Sequence, residues 1–344
     1  MIHENLEFHN VVELEPAAGG AGLCLRRFPA AVRNSTEFDE HGVGVTRLSS
    51  GCEIRFVTES PEATVRLSRE DGKPGTVMVC KGVFIYGEFP LQQGETTEIK
   101  LKEPANIGYS LPEAFAGQVF SPKVWRVFSG SVPLVFHGID AGGKGVRPPA
   151  ADEKPKIRWL AYGSSVTMNG PIFHNYVNYA SQLLRVDALN LGMAGACFMQ
   201  RCVADDIAGR SDWDFATLEL GVNMRSQFEP EEFERRARYM IPRILKSRPR
   251  KPVFVITALR NHNYFANEKN VWTDHQNAYN GILRAVCREA RNPYLHIIEG
   301  IEVSPDFTGY KADMLHPAGL ATFRIAQCLA ERLVPALRAA GLRI

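Results

Sequence analysis

Four short blocks in the second half of the sequence hold residue types that together can run nucleophilic acyl chemistry. The first is Tyr162-Gly163-Ser164-Ser165-Val166-Thr167. A serine placed after a glycine turn, at the entrance to a helix, faces the helix's free N–H groups. That setting suits a hydroxyl whose attack on a carbonyl creates an oxyanion. The same run also reads as a plain turn with two capping serines. The second block, Asn190-Leu191-Gly192-Met193-Ala194-Gly195, offers at Gly195 a bare backbone N–H for a substrate oxygen, or simply a tight turn. In the third, Glu219-Leu220-Gly221-Val222-Asn223, the Asn223 amide can donate to a developing negative oxygen or can cap a turn. The fourth is Asp313-Met314-Leu315-His316-Pro317. Here Asp313 can reach the ring nitrogen of His316 that faces away from the serine, fixing the tautomer and stabilising the imidazolium formed when the ring takes a proton. Alternatively, the Asp only helps to start the last helix.

The elements around these blocks place them together. Apolar runs at Ile157–Tyr162, Ala188–Leu191, Phe215–Leu220, Val253–Leu259 and Leu295–Ile298 read as buried strands of a parallel sheet. Between them, Phe173–Leu184, Pro230–Leu245, Asp274–Arg291 and Pro317–Leu337 carry apolar residues three and four apart, the helical spacing. Pro317 suits the first position of the last helix. Strand–helix alternation predicts an α/β domain with helices on both faces of the sheet. Each block then falls at the end of a strand or in the last loop before a helix. All four converge on the carboxyl edge of one sheet, where such sheets bind ligands.

The first half has a different texture. Runs at Cys52–Thr58, Ala63–Leu67, Thr76–Cys80, Val83–Tyr86, Thr97–Leu101 and Val124–Phe128 are short, β-rich and separated by turn residues, with alternation as in Thr64-Val65-Arg66-Leu67. They predict an antiparallel β-sandwich, jelly-roll-like, over residues 1–145. Gly, Pro and charge dominate the next stretch, which reads as a linker over 146–156 ahead of the α/β domain at 157–344.

Composition narrows the partners. A net charge of +2, with Lys and Arg scattered along 344 residues, lacks the basic stripe that tracks phosphates, so nucleic acid is not expected. The start, MIHENLEFHNVVELE, shows no basic end followed by an apolar run, and no apolar run is long enough to span a bilayer. Seven widely spaced cysteines with no C-x-x-C pair argue against a disulfide framework or zinc site and fit a reducing cytoplasm. There is no H-E-x-x-H and no P-loop, and Gly19-Gly20-Ala21-Gly22 reads as a loop in the β half. Neither metal nor cofactor is expected. Asn261-His262-Asn263-Tyr264, with Trp272 and His275 nearby, reads equally as pocket lining or as a solvated loop.

The order Ser, Gly, Asn, then Asp and His resembles the block order of the SGNH (GDSL-like) serine hydrolases. The resemblance covers roughly residues 157–344 and implies a flavodoxin-like sheet. It implies Ser165 as nucleophile, Asp313 and His316 as its partners, and an oxyanion hole from the Ser165 and Gly195 N–H groups and the Asn223 side chain. Ser164 stands where the family usually has the Asp of G-D-S. That Asp is not the triad acid, so the change leaves the triad whole but raises the question of what braces the nucleophile loop. The layout is similar to bacterial members with an N-terminal β-sandwich, some of which resemble carbohydrate esterases that remove acetyl groups. The resemblance implies a serine esterase acting on a small-molecule or saccharide ester, without a cofactor. Its rivals are an acyltransferase using the same acyl-enzyme and a non-catalytic sugar-binding protein.

Overall fold

Contacts along the chain, in a computed structural model that describes residues 1–168 and 175–344, divide it into two units. One comprises Met1–Pro29 with Thr46–Lys156, the other Ala30–Val45 with Ile157–Ile344.

The first unit is a pair of antiparallel sheets. Its strands are β1 (Ile2–His3), β2 (Leu6–His9), β3 (Glu13–Pro16), β4 (Leu23–Arg26), β5 (Glu53–Thr58), β6 (Glu62–Arg69), β7 (Gly75–Lys81), β8 (Phe84–Leu91), β9 (Thr97–Lys102), β10 (Trp125–Ser129), β11 (Leu134–Asp140) and β12 (Val146–Arg147). One sheet runs β1-β2-β5-β10-β7-β8, with β12 added beside β5, and the other β3-β4-β11-β6-β9. The period-2 alternation explains the core. Along β6, Ala63, Val65 and Leu67 turn inward, and Ile99 and Leu101 of β9 join them with Phe8, Phe56 and Trp125. Ion pairs support the sheets from within: buried Arg26 bonds both Glu15 and Glu70, and buried Arg55 bonds Glu7 and Glu53.

Two features of this unit depart from the sequence reading. The stretch read as a linker is ordered against the sandwich. Val146 and Arg147 pair with Thr58 and Val57, Arg147 grips Glu153 through both guanidinium nitrogens, and the Ser121 N–H donates to the Glu153 carbonyl. Gly and Pro mark turns whether or not the segment between them is tied down. Residues 30–45 belong by contact to the second unit, not to the sandwich. They hold the short helix α1 (Ala30–Arg33) and most of α2 (Glu40–Arg47). A five-residue helix, α3 (Ala105–Tyr109), lies in the first unit.

The second unit is a five-stranded parallel sheet: β13 (Arg158–Gly163), β14 (Asp187–Gly192), β15 (Phe215–Glu219), β16 (Val253–Ile256) and β17 (Leu295–Ile298), in the order β14-β13-β15-β16-β17. Its helices are α4 (Ser165–Met168), α5 (Tyr176–Leu184), α6 (Arg201–Gly209), α7 (Pro230–Ser247), α8 (Val271–Glu289), α9 (Gly300–Val303) and α10 (Gly319–Ala339). Trp159, Ala161, Phe215, Phe254 and Ile256 form the sheet face covered by α5 and α10. Helix α7 packs against α6 and α8. From β13 the chain crosses to β14 on one side and then returns past β13 to β15 on the other. The carboxyl end of β13 is therefore the switch point at which doubly wound sheets open a crevice.

Helix boundaries differ from the forecast where side-chain caps and backbone pairing decide them. Asn270 starts α8 early by accepting the N–H groups of Trp272 and Thr273. Pro317 does not open α10; it bridges to Tyr310, and the Ala318 N–H donates to Gly309, so the helix begins at Gly319. Phe173 and His174, the first residues of another forecast helix, lie outside the described residues, and α5 covers the rest. Helix α6 was not forecast. Its first N–H groups, from Arg201 and Cys202, donate to the Glu37 carboxylate, a cap from a remote segment that no local signal announces.

Candidate active site

Gly163 closes β13 and leads into a turn that only glycine fits. A Cβ there would lie 2.3 Å from Thr167 Oγ1 and 2.7 Å from Glu219 Oε2. The turn is short because Glu219, at the end of β15, reaches across to it. Glu219 Oε2 accepts the Ser164 N–H at 2.7 Å and the Thr167 hydroxyl at 3.2 Å, and Thr167 Oγ1 also bonds the Tyr176 hydroxyl. Ser164 Oγ accepts the Val166 N–H, capping α4. Asn175 and Asn190 both donate to the Thr167 carbonyl at its far end. The loop expected to carry the nucleophile, which lacks the Asp of G-D-S, is thus braced by a buried glutamate. Burial pushes the Glu219 carboxyl above its ordinary value, outweighing the hydrogen bonds from Ser164 and Thr167. Its other oxygen, Oε1, is buried with no partner among the described residues.

This bracing sets half-buried Ser165 at the first turn of α4, with its Oγ 2.8 Å from His316 Nε2. His316 Nδ1 lies 2.8 Å from Asp313 Oδ2. Asp313 folds back because its other oxygen caps its own loop: Oδ1 accepts the N–H groups of Leu315 and His316, while Met314 between them takes a positive φ of 51°. Burial raises the Asp313 carboxyl, but the His316 N–H, the His316 ring and the Leu315 N–H prevail and bring it down to about 2. An ionised carboxylate only accepts hydrogen bonds, so the proton between the two residues sits on Nδ1. Nε2 then carries the lone pair that faces the Ser165 hydroxyl.

Gly195 and Asn223 follow β14 and β15. Gly195 takes a φ of +68°, in the left-handed region. Asn223 Oδ1 accepts the Cys197 N–H at 3.3 Å, which turns its NH2 group the other way. Among the described residues, no acceptor bonds the Ser165 N–H, the Gly195 N–H or Asn223 Nδ2. These three donors follow the ends of β13, β14 and β15.

Three residues that sequence reasoning missed support this edge. Glu219 stood inside a quoted block but was assigned no task. His41 Nε2 lies 2.9 Å from the Ala194 carbonyl, beside Gly195, and Glu37 holds the end of the same loop through Arg201 and Cys202. Of the polar run after β16, Asn261 and Asn263 are buried, as is His275; Trp272 is exposed. The His262 N–H donates to the Met314 carbonyl, so this run is tied to the loop that carries Asp313 and His316.

The sequence profile of the GDSL-like lipase/acylhydrolase family matches residues 157–334, more than half of the chain. The chain belongs to this family. It is an enzyme acting on carboxylic ester bonds, a GDSL-like acylhydrolase with an N-terminal β-sandwich. Solved structures share the fold over most of the chain. The salicylyl-acyltransferase SsfX3 from a tetracycline biosynthetic pathway is 18% identical, with a TM-score of 0.78 over 98% of this chain and 96% of the other. A GDSL-like lipase from Bacteroides ovatus is 18% identical, with a TM-score of 0.68 over 97% and 95%. A family two carbohydrate esterase from Clostridium thermocellum, solved with cellohexaose, is 12% identical, with a TM-score of 0.62 over 84% and 93%. A search of the curated proteins finds no match to this chain.

Proposed function

We propose that this acylhydrolase is a serine esterase that removes short acyl groups, acetyl in the first instance, from a carbohydrate or other small alcohol through a Ser165–His316–Asp313 triad. The observation that carries the reading is the continuous relay of two 2.8 Å hydrogen bonds from Ser165 Oγ through His316 to Asp313. Ser165 Oγ bonds to the ester carbon as its proton passes to His316 Nε2. Asp313 holds the ring and stabilises its positive charge. The oxyanion accepts from the Ser165 and Gly195 N–H groups and Asn223 Nδ2; each such donor contributes on the order of 3 kcal/mol in the transition state. The C–O bond to the alcohol then breaks, and His316 gives the alcohol its proton. A water molecule, losing a proton to the same Nε2, attacks the acyl-enzyme and releases the acid. None of these steps calls for a metal or cofactor.

The saccharide reading draws on the fold shared with the cellohexaose-bound carbohydrate esterase. A second reading, transfer of the acyl group to an alcohol acceptor, is favoured by the likeness to the salicylyl-acyltransferase. Seven free cysteines support a reducing compartment, and no helix among the described residues is long and apolar enough to cross a membrane.

Fluorophosphonate labelling tests the nucleophile. Wild type and Ser164→Ala should label, and Ser165→Ala should not. Labelling that persists in folded Ser165→Ala would move the attack to another residue. Product analysis with and without an added alcohol separates hydrolysis from transfer.

A further inference from the structure

Arg225 stands two residues beyond Asn223 and is buried, with 6% of its surface exposed. A buried charge is tolerated when it is paired. Buried Arg26, Arg55 and Arg210 each keep a carboxylate within 3.1 Å. Arg225 has no carboxylate in salt-bridge range among the described residues. Its Nη1 donates to two neutral oxygens, Asn261 Oδ1 at 3.2 Å and Gln276 Oε1 at 2.9 Å. A guanidinium has five N–H donors, so these two bonds leave the other three, on Nε and Nη2, without an acceptor among the described residues. Neither atom is among the sealed, unpartnered polar atoms of the described residues. The Nε–Nη2 edge is the fork that binds a carboxylate or phosphate through two parallel hydrogen bonds.

The fork's surroundings place it at the candidate site. Asn261, bonded to Arg225, precedes His262, whose N–H bonds Met314 in the loop of Asp313 and His316. The His262 ring is close enough to both charges for Arg225 to lower its pKa and Asp313 to raise it; burial and Arg225 prevail, so the ring is held below its ordinary value. His262, next in the chain to the Asn261 that Arg225 bonds, adds a further hydrogen-bonding group. Arg225 is therefore flanked in sequence by one proposed oxyanion donor and linked through Asn261 and His262 to the proposed base.

We propose that the Nε–Nη2 edge of Arg225 binds a carboxylate or phosphate carried by the substrate, so that the preferred ester is an anionic one. This deepens the esterase reading above and rests on it for the position of the reacting carbonyl. The anion can belong to the acyl group, as in a dicarboxylic acid half-ester, or to the alcohol, as in an acetylated uronic acid or sugar phosphate.

The test compares kcat/KM for 4-nitrophenyl acetate, 4-nitrophenyl hemisuccinate (acyl-side anion), 4-acetoxybenzoate (alcohol-side anion) and the methyl ester of each acid. Wild type, Arg225→Gln and Arg225→Lys are assayed. In wild type, one anionic ester should exceed its neutral methyl ester at least tenfold, and the arm that does so identifies which side carries the charge. In Arg225→Gln, the loss on neutral esters measures the broken bonds to Asn261 and Gln276. The anionic ester should lose roughly ten- to a hundredfold more, the range for a hydrogen bond to a charged group. Arg225→Lys should recover part of the ratio. Equal losses on both ester types, or no anionic preference in wild type, overturn the inference. If wild type turns over none of the esters, the esterase reading fails separately. Calorimetric titration with succinate and with inorganic phosphate then still decides the anion site: binding at least tenfold weaker in Arg225→Gln supports it, and equal or absent binding in both proteins overturns it.

Discussion

The loop after β13 and the loop before α10 meet at the Ser165–His316 hydrogen bond, and they are held in contrasting ways. The first is buried and pinned from a distance: Glu219, across the sheet, grips Ser164 and Thr167, while Asn190 holds the Thr167 carbonyl. The second is exposed and folds on itself, with Asp313 accepting from Leu315 and His316 within one turn. The proposed nucleophile must hold a fixed line of attack, which long-range buried contacts supply. The proposed base needs its ring orientation and tautomer set, and a neighbour three residues away suffices. The two loops should therefore fail differently when their supports are removed.

The largest effect is expected in the exposed loop, where support and chemistry are the same residues. His316→Ala should lower kcat by several orders of magnitude. Asp313→Asn should cost on the order of 10⁴, because an amide can accept as well as donate and so can support the wrong tautomer. The double variant should be little worse than His316→Ala, since the two act as one unit. Fully additive losses would mean that Asp313 serves only the fold of its loop. With Asp313 held at about 2, an acid limb in the pH–rate profile above about pH 3 should persist unshifted by its titration.

This contrast also governs what the sequence disclosed. Asp313 and His316 were legible because their partnership is local. The positions of Ser165, Gly195 and Asn223 after strand ends were legible because those ends are marked by apolar runs that stop at glycine. Glu219 was on the page but mute: nothing in the sequence says that the last residue of β15 reaches the turn after β13. Glu37 and His41 were hidden more deeply, since they sit in a stretch read with the sandwich yet contact the Ala194–Cys202 loop. The Gly- and Pro-rich stretch read as a linker misled for the converse reason: its turn composition is visible and its pairing with β5 is not.

A smaller, pH-dependent effect is expected in the buried loop. Glu219→Gln keeps an acceptor for the Ser164 N–H and removes the charge. It should lower kcat by no more than about tenfold. Glu219→Ala leaves that buried N–H without an acceptor, at about 1–3 kcal/mol, and should cost more in both stability and kcat. The sign of the stability change follows from the raised carboxyl. Below the unfolded pKa, the group is protonated in both states. As pH rises through that value, the unfolded chain releases a proton that the native state retains. Wild type should then lose stability relative to Glu219→Gln as the pH rises from the ordinary glutamate range towards the raised native pKa. Denaturant unfolding of both proteins across this range, where their other groups titrate alike, reads the difference. A flat difference would mean that Glu219 is ionised in the native state and braces Ser164 as a carboxylate.

The smallest expected single-variant effect lies at the third loop, which tests whether pinning from a distance serves the proposed oxyanion site as it serves the nucleophile. Gly195 has two separable constraints. Its φ of +68° costs an alanine about 1–2 kcal/mol whatever the surroundings. A Cβ at that position would also lie 2.8 Å from His41 Nε2, which itself bonds the Ala194 carbonyl. His41→Ala removes one hydrogen bond and leaves Glu37 holding the far end of the loop, so kcat should fall threefold or less with little change in KM. Gly195→Ala meets both constraints and should fall on the order of ten- to a hundredfold. If the imidazole is the obstacle, the double variant should be more active than Gly195→Ala alone, although His41→Ala by itself is mildly harmful. That reversal cannot arise from two independent losses, which would add. If the double variant is instead the worse of the two, backbone strain accounts for the whole Gly195 effect, and His41 acts on this loop only through Ala194.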